Sequence, residues 1–522
     1  MPTDMLAWTV YLSFLGVLAL MFVPGANVRG VRTIALLTAL AGLVCAVAAA
    51  FGYDTKAGIQ TVAKQPWIPA LGISYFLAAD GISLTLVLLT GIAAVVGILF
   101  SWNIEHRAKE FFAFYLALIG GVYGVFISFD LFLLFVFYEL AIIPKYFLIA
   151  IWGSTNREYG AMKLVLYSFV GSALVLIGLI AAYVIAGLQT GTYTFDLLAL
   201  AKVQFPEQFQ YWAFPLVFVG FAVLAGLWPF HTWAPTGHVA APTAASMLLA
   251  GVVMKLGAYG ALRVAMTLFP LGLAAWRGEI AVLAVIGIVY GALVALVQRD
   301  FKFVIGYSSV SHMGFVLLGL MTLTTIGLSG AVLQMFSHGI IAGLLFAVVG
   351  RMVYDRTHTR ELADLEPMGL NRAIPFAAVT FVIAGLASMG MPGFSGFIAE
   401  LQVLIGAWQA FPTLAVLCGL GIIIGVAYTL RAIQKSFFSG NILEASIQRF
   451  NDSTIQRFSE SASRPSNPTS TLETISIPER IGAAILIAST VIIGLYPTVL
   501  LNLIRSGFDS ALMAPLVKGG PL

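Results

Sequence analysis

The sequence has few charged residues and almost no cysteine. Only 10% of its 522 residues are charged, whereas soluble globular proteins average about a quarter. The two cysteines, Cys45 and Cys418, lie in separate apolar runs, so they provide no disulfide framework, zinc site or iron–sulfur ligand set. Nucleotide-binding, zinc-protease and serine-hydrolase motifs do not occur in a usable context. These features argue against a soluble enzyme and place any iron–sulfur redox centre on another chain.

Apolar residues are abundant and occur in long runs, making up 60% of the sequence. A helix needs about 20 apolar residues to cross a bilayer, and fourteen runs approach or exceed this length, one of them interrupted. The sequence therefore predicts an all-α polytopic membrane protein with about fourteen transmembrane helices. If the adjacent runs 111–128 and 130–152 are wrongly divided, the number falls to thirteen. The predicted spans are 5–23, 33–51, 79–100, 111–128, 130–152, 161–187, 211–229, 241–268, 278–298, 303–322, 327–350, 374–410, 413–437 and 479–500.

Positive charges are distributed unevenly between the two sides that these spans define. One side carries eighteen Lys and Arg residues and the other carries six. Because positively charged loops stay in the cytoplasm, the sequence predicts that both termini lie on the outer side. The net charge of +4 reflects this topology, so it does not indicate a nucleic-acid partner.

Proline and glycine interrupt two of the predicted spans. Unsatisfied backbone at membrane depth is tolerated only inside protein or beside a water-filled cavity. Two such breaks, five spans apart and in opposite orientations, favour inverted repeats with a functional site between them. Either break alone could be a structural kink, and capping of freed carbonyl groups is the expected role of the two histidines. The break residues are Pro229, His231, Pro235 and His238 in segment 227–238, and Pro392 and Gly393 in segment 389–396.

We single out four charged residues as lying deep within predicted spans, namely Glu139, Lys145, Lys255 and Glu400. A charge at a helix centre costs about 2.5–3.5 kcal/mol, so such residues indicate function by default. Burial and nearby carboxylates shift the proton affinity of a lysine in opposite directions, so this set of residues permits proton transfer. The structural alternatives are a packing role for Glu139, and snorkelling or pairing with Glu139 for Lys145.

Two histidines, His312 and His338, lie on neighbouring predicted spans between Lys255 and Glu400 in chain order. A lone histidine inside a membrane is usually a hydrogen-bonded structural residue. Two of them in this position make a proton relay an equal alternative.

Several segments resemble the antiporter-like membrane subunits of respiratory complex I, and the likeness extends over about residues 70–500. The resemblance implies a fourteen-helix fold with two inverted five-helix repeats, one proton path, and broken helices 7 and 12. The segments that carry it are Trp228-Pro-Phe-His-Thr-Trp233, Ala241-Pro-Thr-Ala-Ala-Ser-Met-Leu-Leu-Ala-Gly-Val-Val-Met-Lys-Leu-Gly-Ala-Tyr-Gly260, Asp300-Phe-Lys302, Tyr307-Ser-Ser-Val-Ser-His-Met-Gly-Phe315 and Gly390-Met-Pro-Gly-Phe-Ser-Gly-Phe-Ile-Ala-Glu400.

The expected organisation places the first repeat, helices 4–8, at 111–268 and the second, helices 9–13, at 278–437. Residues 1–110 form helices 1–3, and 479–522 form helix 14 and a C-terminal tail. The connecting segment 438–478 is rich in Ser, Asn, Thr and Pro and contains a tandem repeat at 447–454 and 455–462. This composition indicates a flexible cytoplasmic loop, with a docking site for another subunit as the alternative.

The resemblance assigns a role to each residue that matches the family motifs. Glu139 matches the glutamate of helix 5 that begins the half-channel, and Lys255 matches the central lysine of helix 8. His312 and His338 match polar residues of the connecting axis. Glu400 matches the terminal acid near the outer exit. It is typical of one branch, because other complex I branches and the Mrp-type antiporters usually carry lysine there.

One departure from the family pattern affects the first half-channel. The family usually has a lysine in helix 7, where this sequence has Leu224, and the usual Pro-Asp of the first break is Pro235-Thr236 here. Our hypothesis is that Lys145 supplies the missing positive charge to Glu139 from the same helix, with Pro144 kinking the chain between them. The alternative is a weakened or altered input path.

The resemblance implies a proton-translocating subunit of a complex I-type NADH:quinone oxidoreductase in a bacterial inner membrane. No cofactor is expected on this chain. NADH, FMN, iron–sulfur clusters and quinone are expected on partner subunits, and the expected neighbours are L-, N- and K-like membrane-arm subunits and the lipid bilayer. The alternatives are an Mrp-type cation/proton antiporter or membrane-bound hydrogenase subunit, and a non-pumping subunit that only bridges its neighbours.

Overall fold

The computed structural model describes residues 4–439 and 472–517, and helices dominate both ranges. Thirteen helices there are long and apolar enough to cross a membrane, so the predicted all-α polytopic architecture is confirmed. The predicted span 374–410 consists of two shorter helices, Pro375–Ser388 and Ser395–Ala410. Counting that segment as the twelfth span, the others are Met5–Phe22, Val28–Phe51, Gly81–Phe100, Ala108–Ile127, Leu131–Trp152, Arg157–Thr190, Glu207–Ala225, Thr243–Leu268, Pro270–Val297, Phe301–Met321, Thr325–Thr357, Pro412–Phe438 and Ile477–Leu495.

The fourth and fifth spans are separate helices, as the division into fourteen segments requires. The carboxylate of Asp130 accepts hydrogen bonds from the backbone N–H groups of Phe132 and Leu133, at 3.0 and 3.1 Å. An aspartate in this position caps a helix start, because it satisfies N–H groups that have no partner within the helix. The chain therefore ends one helix at Ile127 and begins the next at Leu131.

A small β-hairpin, absent from the sequence-based prediction, precedes the third span. Strand β1 is Gln60–Ile68 and strand β2 is Ile73–Ala79, and the two are antiparallel. Gly72 closes the turn with a left-handed φ of 65°, which glycine adopts without a steric penalty. The hairpin is tied to the fifth span, because the Ser74 backbone N–H donates to Asp130 at 2.8 Å.

The fifth and seventh spans are each interrupted. The fifth is divided at Ala141 into Leu131–Leu140 and Ile142–Trp152. The seventh ends at a left-handed Gly226 with φ 85°, and the short helix Trp233–Ala240 follows it. The remaining short helices are Pro69–Leu71, Leu197–Leu200, Leu362–Leu365, Glu366–Met368, Leu370–Ala373, Thr498–Phe508 and Ala514–Val517.

The eighth and eleventh spans form the centre of the bundle. Their most apolar windows are completely buried, whereas only 28% of the corresponding window is buried in the second and thirteenth spans. The central helix Thr243–Leu268 contains two wider π-helical turns, Leu249–Val253 and Ala261–Ala265, on either side of Met254–Gly260. Such turns frequently occur at functional sites, because they free a backbone carbonyl from the regular pattern.

Most of the predicted loop 438–478, including its tandem repeat at 447–462, lies outside the described residues. The inverted relation between 111–268 and 278–437 stays a prediction, as do the domain boundaries at 1–110 and 479–522.

Candidate functional site

Lys255 lies in the middle of the central eighth span, and its side chain is completely buried. The ammonium group donates a hydrogen bond to the carbonyl of Ala250, five residues earlier. The π-helical turn accounts for this contact, because the wider turn brings the carbonyl five positions back into reach of the side chain. On its other side, Lys255 Nζ lies 2.8 Å from His338 Nδ1, on the eleventh span.

The row of polar groups continues from His338 to His312. The two imidazole rings have centroids 5.5 Å apart and an angle of 30° between their planes. A cavity of about 10 Å³ lies against both rings, which is near the lower limit for one water molecule. His338 and His312 are therefore close enough for a proton to pass between them through a single bridging water.

Glu400 ends the row, in the second half of the twelfth span. Its Oε1 lies 2.9 Å from His312 Nδ1 and accepts a hydrogen bond from Gln334 Nε2 at 3.3 Å. The hydroxyl of Ser388, the last residue of the first half, lies 3.1 Å from His312 Nε2. Gly390, in the turn between the halves, has φ 72°, and a Cβ there would lie 3.1 Å from Glu400 Oε2. The break therefore brings the two half-helices together around His312.

Four titratable side chains thus form one buried row, in the order Lys255, His338, His312 and Glu400. Each is a group that can both accept and release a proton. We define this set as the central axis. The sequence singled out all four residues, and the structure places them together on four different spans.

Glu139 and Lys145 do not form a direct ion pair. No ion pair within 4 Å joins them, and Lys145 Nζ and Glu139 Oε1 are both buried without a hydrogen-bond partner among residues 4–439 and 472–517. The helix interruption at Ala141 lies between them, three residues before the Pro144 that we expected to kink the chain. The two groups still interact electrostatically, so the hypothesis of compensation stays a proposal.

The histidines of the first break pack against aromatic rings. The His238 ring is buried and stacks on Phe346, with centroids 4.9 Å apart, and neither ring nitrogen has a partner in the described parts of the chain. The sequence predicted that His238 caps a freed carbonyl, and the structure shows that it does not. The His231 ring packs edge-on against Tyr290 at 5.3 Å.

The prolines and the glycine of the breaks lie where the backbone leaves the regular helix. Pro229 lies in the turn after the seventh span, and Pro235 lies within the short helix Trp233–Ala240. Pro392 and Gly393 lie in the turn of the twelfth span, where Gly393 has φ 100°. These residues shape the two breaks and carry no titratable side chain.

The sequence analysis did not identify the buried ion pair between Arg263 and Asp80. Arg263 Nη2 donates to Asp80 Oδ1 at 2.6 Å, and neither side chain has any exposed surface. Arg263 lies on the eighth span, eight residues after Lys255, and Asp80 caps the start of the third span. The signal was present in the sequence, since Arg263 falls inside the predicted span 241–268.

Lys302 is another buried cation that the sequence analysis did not identify, because it falls just before the predicted span 303–322. Its ammonium donates to the carbonyl of Ala241 at 3.0 Å. Lys302 lies in the first turn of the tenth span, which is Phe301–Met321. The apolar run that predicted this span begins one residue later, so it gave no sign that Lys302 is buried. No group of three or more His, Cys, Asp or Glu side chains suited to a metal ion occurs in the described ranges.

Comparison with known proteins gives a consistent family. Residues 128–425 match the model of the NADH:quinone oxidoreductase/Mrp antiporter transmembrane family. The chain is 35% identical over 495 residues to NADH-quinone oxidoreductase subunit M of Rhodobacter capsulatus, covering 92% of this chain and 90% of that protein. It is 36% identical to NAD(P)H-quinone oxidoreductase chain 4 1 of Synechococcus elongatus, covering 84% and 83%.

Solved structures with similar folds come from more than one kind of complex. A chain of respiratory complex I from Thermus thermophilus with bound NADH superposes with a TM-score of 0.81 at 27% identity, over 97% of this chain and 99% of that chain. A chain of the Mrp complex from Dietzia sp. also gives 0.81, at 20% identity and over 99% and 98%. The second likeness shows the fold alone.

Proposed function

We propose that this chain, which belongs to the NADH:quinone oxidoreductase/Mrp antiporter family of transmembrane proteins, translocates protons as a membrane subunit of a complex I-type NADH:quinone oxidoreductase. The observation that carries the proposal is the continuous buried row Lys255, His338, His312 and Glu400. Glu400 further supports the subunit-M branch, because related branches usually have lysine there.

The central axis moves a proton in three steps. The Lys255 ammonium gives its proton to His338, whose Nδ1 it already contacts at 2.8 Å. A water between the rings passes the proton to His312, and His312 passes it to the carboxylate at 2.9 Å. The row lies inside protein, so a change in charge at one end acts on the next group with little screening by solvent.

The energy for this transfer is supplied by partner subunits. NADH, FMN, iron–sulfur clusters and quinone would bind there, since electron transfer from NADH to quinone is the activity that relatives' names record. In this proposal the neighbours are L-, N- and K-like membrane-arm subunits. In this proposal the chain lies in a bacterial inner membrane, and the excess of positive charge on one side supports both termini on the outer side.

Glu139 and Lys145 form the entry to the axis in this proposal. Lys145 Nζ is buried without a hydrogen-bond partner in the described ranges, and Leu224 stands where the family usually has a lysine. An electrostatic rather than a hydrogen-bonded interaction between Lys145 and Glu139 would then set the charge at the entry.

Replacing Lys255 by Met tests the function. The assembled complex would be placed in proteoliposomes, and NADH:quinone electron transfer and lumen acidification would be measured together. We expect redox-driven proton transfer to fall at least about tenfold, because proton-transferring side chains typically contribute about 10²-fold or more. Lys56→Met is the matched control, since it removes an exposed ammonium on a loop. Unchanged acidification in an assembled Lys255→Met complex would favour a subunit that only bridges its neighbours.

A further inference from the structure

A second row of polar residues runs along the eighth span, away from the central axis. Lys255, Tyr259, Arg263 and Thr267 follow one another at intervals of four residues. Lys255 and Tyr259 share one face of the regular segment Met254–Gly260, because residues four apart lie on the same face of a helix. Hydrogen bonds join Tyr259 to Arg263 and Arg263 to Thr267. We call this row the short ladder.

The side chains of the short ladder are joined to the third span. Tyr259 OH donates to the Phe126 carbonyl at 2.9 Å and lies 3.0 Å from Ser83 Oγ. Arg263 Nε donates to Tyr259 OH at 3.2 Å, and Arg263 Nη2 donates to Asp80 at 2.6 Å. The ladder is therefore continuous from Tyr259 to the ion pair.

A cavity of about 500 Å³ begins one turn beyond Arg263. Thr267 lines it, and the Thr267 hydroxyl donates to the Arg263 carbonyl at 2.7 Å. Gly58 also lines it and accepts a hydrogen bond from Tyr53 at 2.7 Å. The cavity lies on the side of the hairpin and the C-terminal helices, which is the outer side by our predicted topology. Without a barrier, the ladder would connect this cavity to Lys255 by a short route.

Helix Thr498–Phe508 packs against the start of the third span, next to Asp80. A Cβ on Gly81 would overlap the Leu503 carbonyl, so only glycine allows this approach. The start of the third span, which holds Asp80, is thereby fixed against the C-terminal segment. Asp80 therefore lies on a backbone segment that packs against the C-terminal helix, and its carboxylate is paired with Arg263 of the eighth span.

Arginine cannot relay a proton, because its guanidinium does not lose its charge in proteins. Arg263 occupies the position on the ladder where a relay would need a titratable group, about 12 Å from Lys255 for eight residues of helix. A fixed arginine in a pore also repels protons and other cations. We propose that the Asp80–Arg263 pair is an electrostatic barrier that closes the short ladder, so that protons leave Lys255 only through His338. This inference rests on the proposed function of the central axis.

The test is the passive proton permeability of proteoliposomes that contain the complex with Arg263→Gln. Removing the cation leaves Asp80 as a buried titratable group beside Tyr259. We expect an imposed pH gradient to decay at least about tenfold faster per complex than with wild type, which corresponds to ~1.4 kcal/mol in barrier height. Arg263→Lys keeps a cation beside Asp80 but can release its proton, so it should also leak, which separates the loss of a guanidinium that cannot titrate from the loss of charge.

A further variant makes the result specific. Adding Lys255→Met to Arg263→Gln should abolish the leak, since the short ladder then lacks its inner end. If Arg263→Gln does not assemble, Arg263→Lys takes its place, since it keeps a cation beside Asp80 and leaves no unpaired buried ion; it should also leak. An assembled variant with wild-type permeability would show that the pair is only structural and would overturn the proposal.

Redox-driven acidification by wild type, measured in the same vesicles, separates this inference from the proposed function. If wild type does not pump, the proposed function fails whatever the leak. If wild type pumps and the variants do not leak, the barrier alone fails.

Discussion

Lys255 and His338 contact each other directly across the eighth and eleventh spans, with 2.8 Å between Nζ and Nδ1. No carboxylate lies within 4 Å of this ammonium among the residues that the structure describes. The contact therefore makes His338 the first acceptor for a proton that leaves Lys255.

We predict that His338→Gln interrupts the central axis at its first step. The glutamine can hydrogen-bond to Lys255 but cannot take its proton, so redox-driven acidification should fall at least about tenfold. The control is His358→Gln, which removes an exposed imidazole near the end of the eleventh span. Equal acidification by both variants would contradict a role for His338 in proton transfer.

The carboxylate at the other end of the axis should be required for its charge and not for its hydrogen bond. Glu400→Gln keeps an acceptor near His312 but cannot hold a proton, and we expect about 10²-fold slower coupled proton transfer. Glu400→Asp retains the acid on a shorter stem and should lose less. The rate of proton release in single-turnover experiments would be measured for the Glu400→Gln and Glu400→Asp variants. If the glutamine variant performs better than the aspartate variant, Glu400 has a structural role.

Lys145 is predicted to compensate for Leu224. Lys145→Met should lower coupled proton transfer, because Lys145 is the cation that acts on the Glu139 carboxylate within the described part of the chain. A second change, Leu224→Lys, places a lysine where the family usually has it and should restore the activity. Full activity of Lys145→Met alone, measured by acidification in proteoliposomes, would exclude the compensation.

Glu479 holds two arginines at the other end of the bundle. Its carboxylate lies 2.5 Å from Arg351 Nε and 2.8 Å from Arg356 Nη2, and all three groups are largely or fully buried. Glu479→Gln leaves the buried Arg356 guanidinium without a carboxylate partner, while Arg351 keeps Asp355 at 3.1 Å. The change should lower the free energy of unfolding by about 3–5 kcal/mol. The change would appear as a lower unfolding midpoint of the purified complex.

The matched control for this prediction is Glu105→Gln. Glu105 lies 3.8 Å from Arg32 with 82% of its side chain exposed, and exposed pairs contribute about 0–1 kcal/mol. Equal midpoints for the two glutamine variants would show that the Glu479 cluster does not stabilise the fold.

Close contact between the sixth and seventh spans depends on glycine. A Cβ on Gly220 would lie 2.7 Å from the Gly171 carbonyl oxygen and 2.8 Å from Val175 Cγ2. We predict that Gly220→Ala destabilises the protein by about 1–3 kcal/mol through overpacking. Gly419→Ala, where nothing lies within 4 Å of the added atom, should leave the unfolding midpoint unchanged or slightly raised. Comparing the unfolding midpoints of the two variants tests whether the close contact at Gly220, or the higher helix propensity of alanine, determines how the substitution changes stability.

Much of the helical architecture followed from run length, because bilayer thickness fixes how many apolar residues a span needs. The hairpin at Gln60–Ala79 did not, because its apolar and polar residues do not alternate regularly: Lys64 and Gln65 are adjacent in β1. The exact helix ends also differ, as in Arg157–Thr190 against the predicted 161–187. Polar residues at that helix end obscured its first turn.

The central axis was predictable because each of its members is costly inside a membrane and so stands out in the sequence. Arg263 has the same signal but was overlooked, and its partner Asp80 read as an ordinary residue at the start of a span. The interruption between Glu139 and Lys145 at Ala141 could not be predicted, because only Pro144 marked a possible kink in the sequence. Sequence spacing gives distances only along an unbroken helix.

The complete burial of the eighth and eleventh spans also sets the electrical reach of the axis. The surrounding helices separate the eighth and eleventh spans from lipid headgroups and bulk ions. Two unit charges ~10 Å apart interact by about 1.7 kcal/mol at an effective permittivity of ~20, against about 0.4 kcal/mol in bulk water. A single charge displaced beside this chain therefore changes the electrostatic potential at groups several residues away. The salt concentration outside the membrane has little influence on the distance over which this change acts.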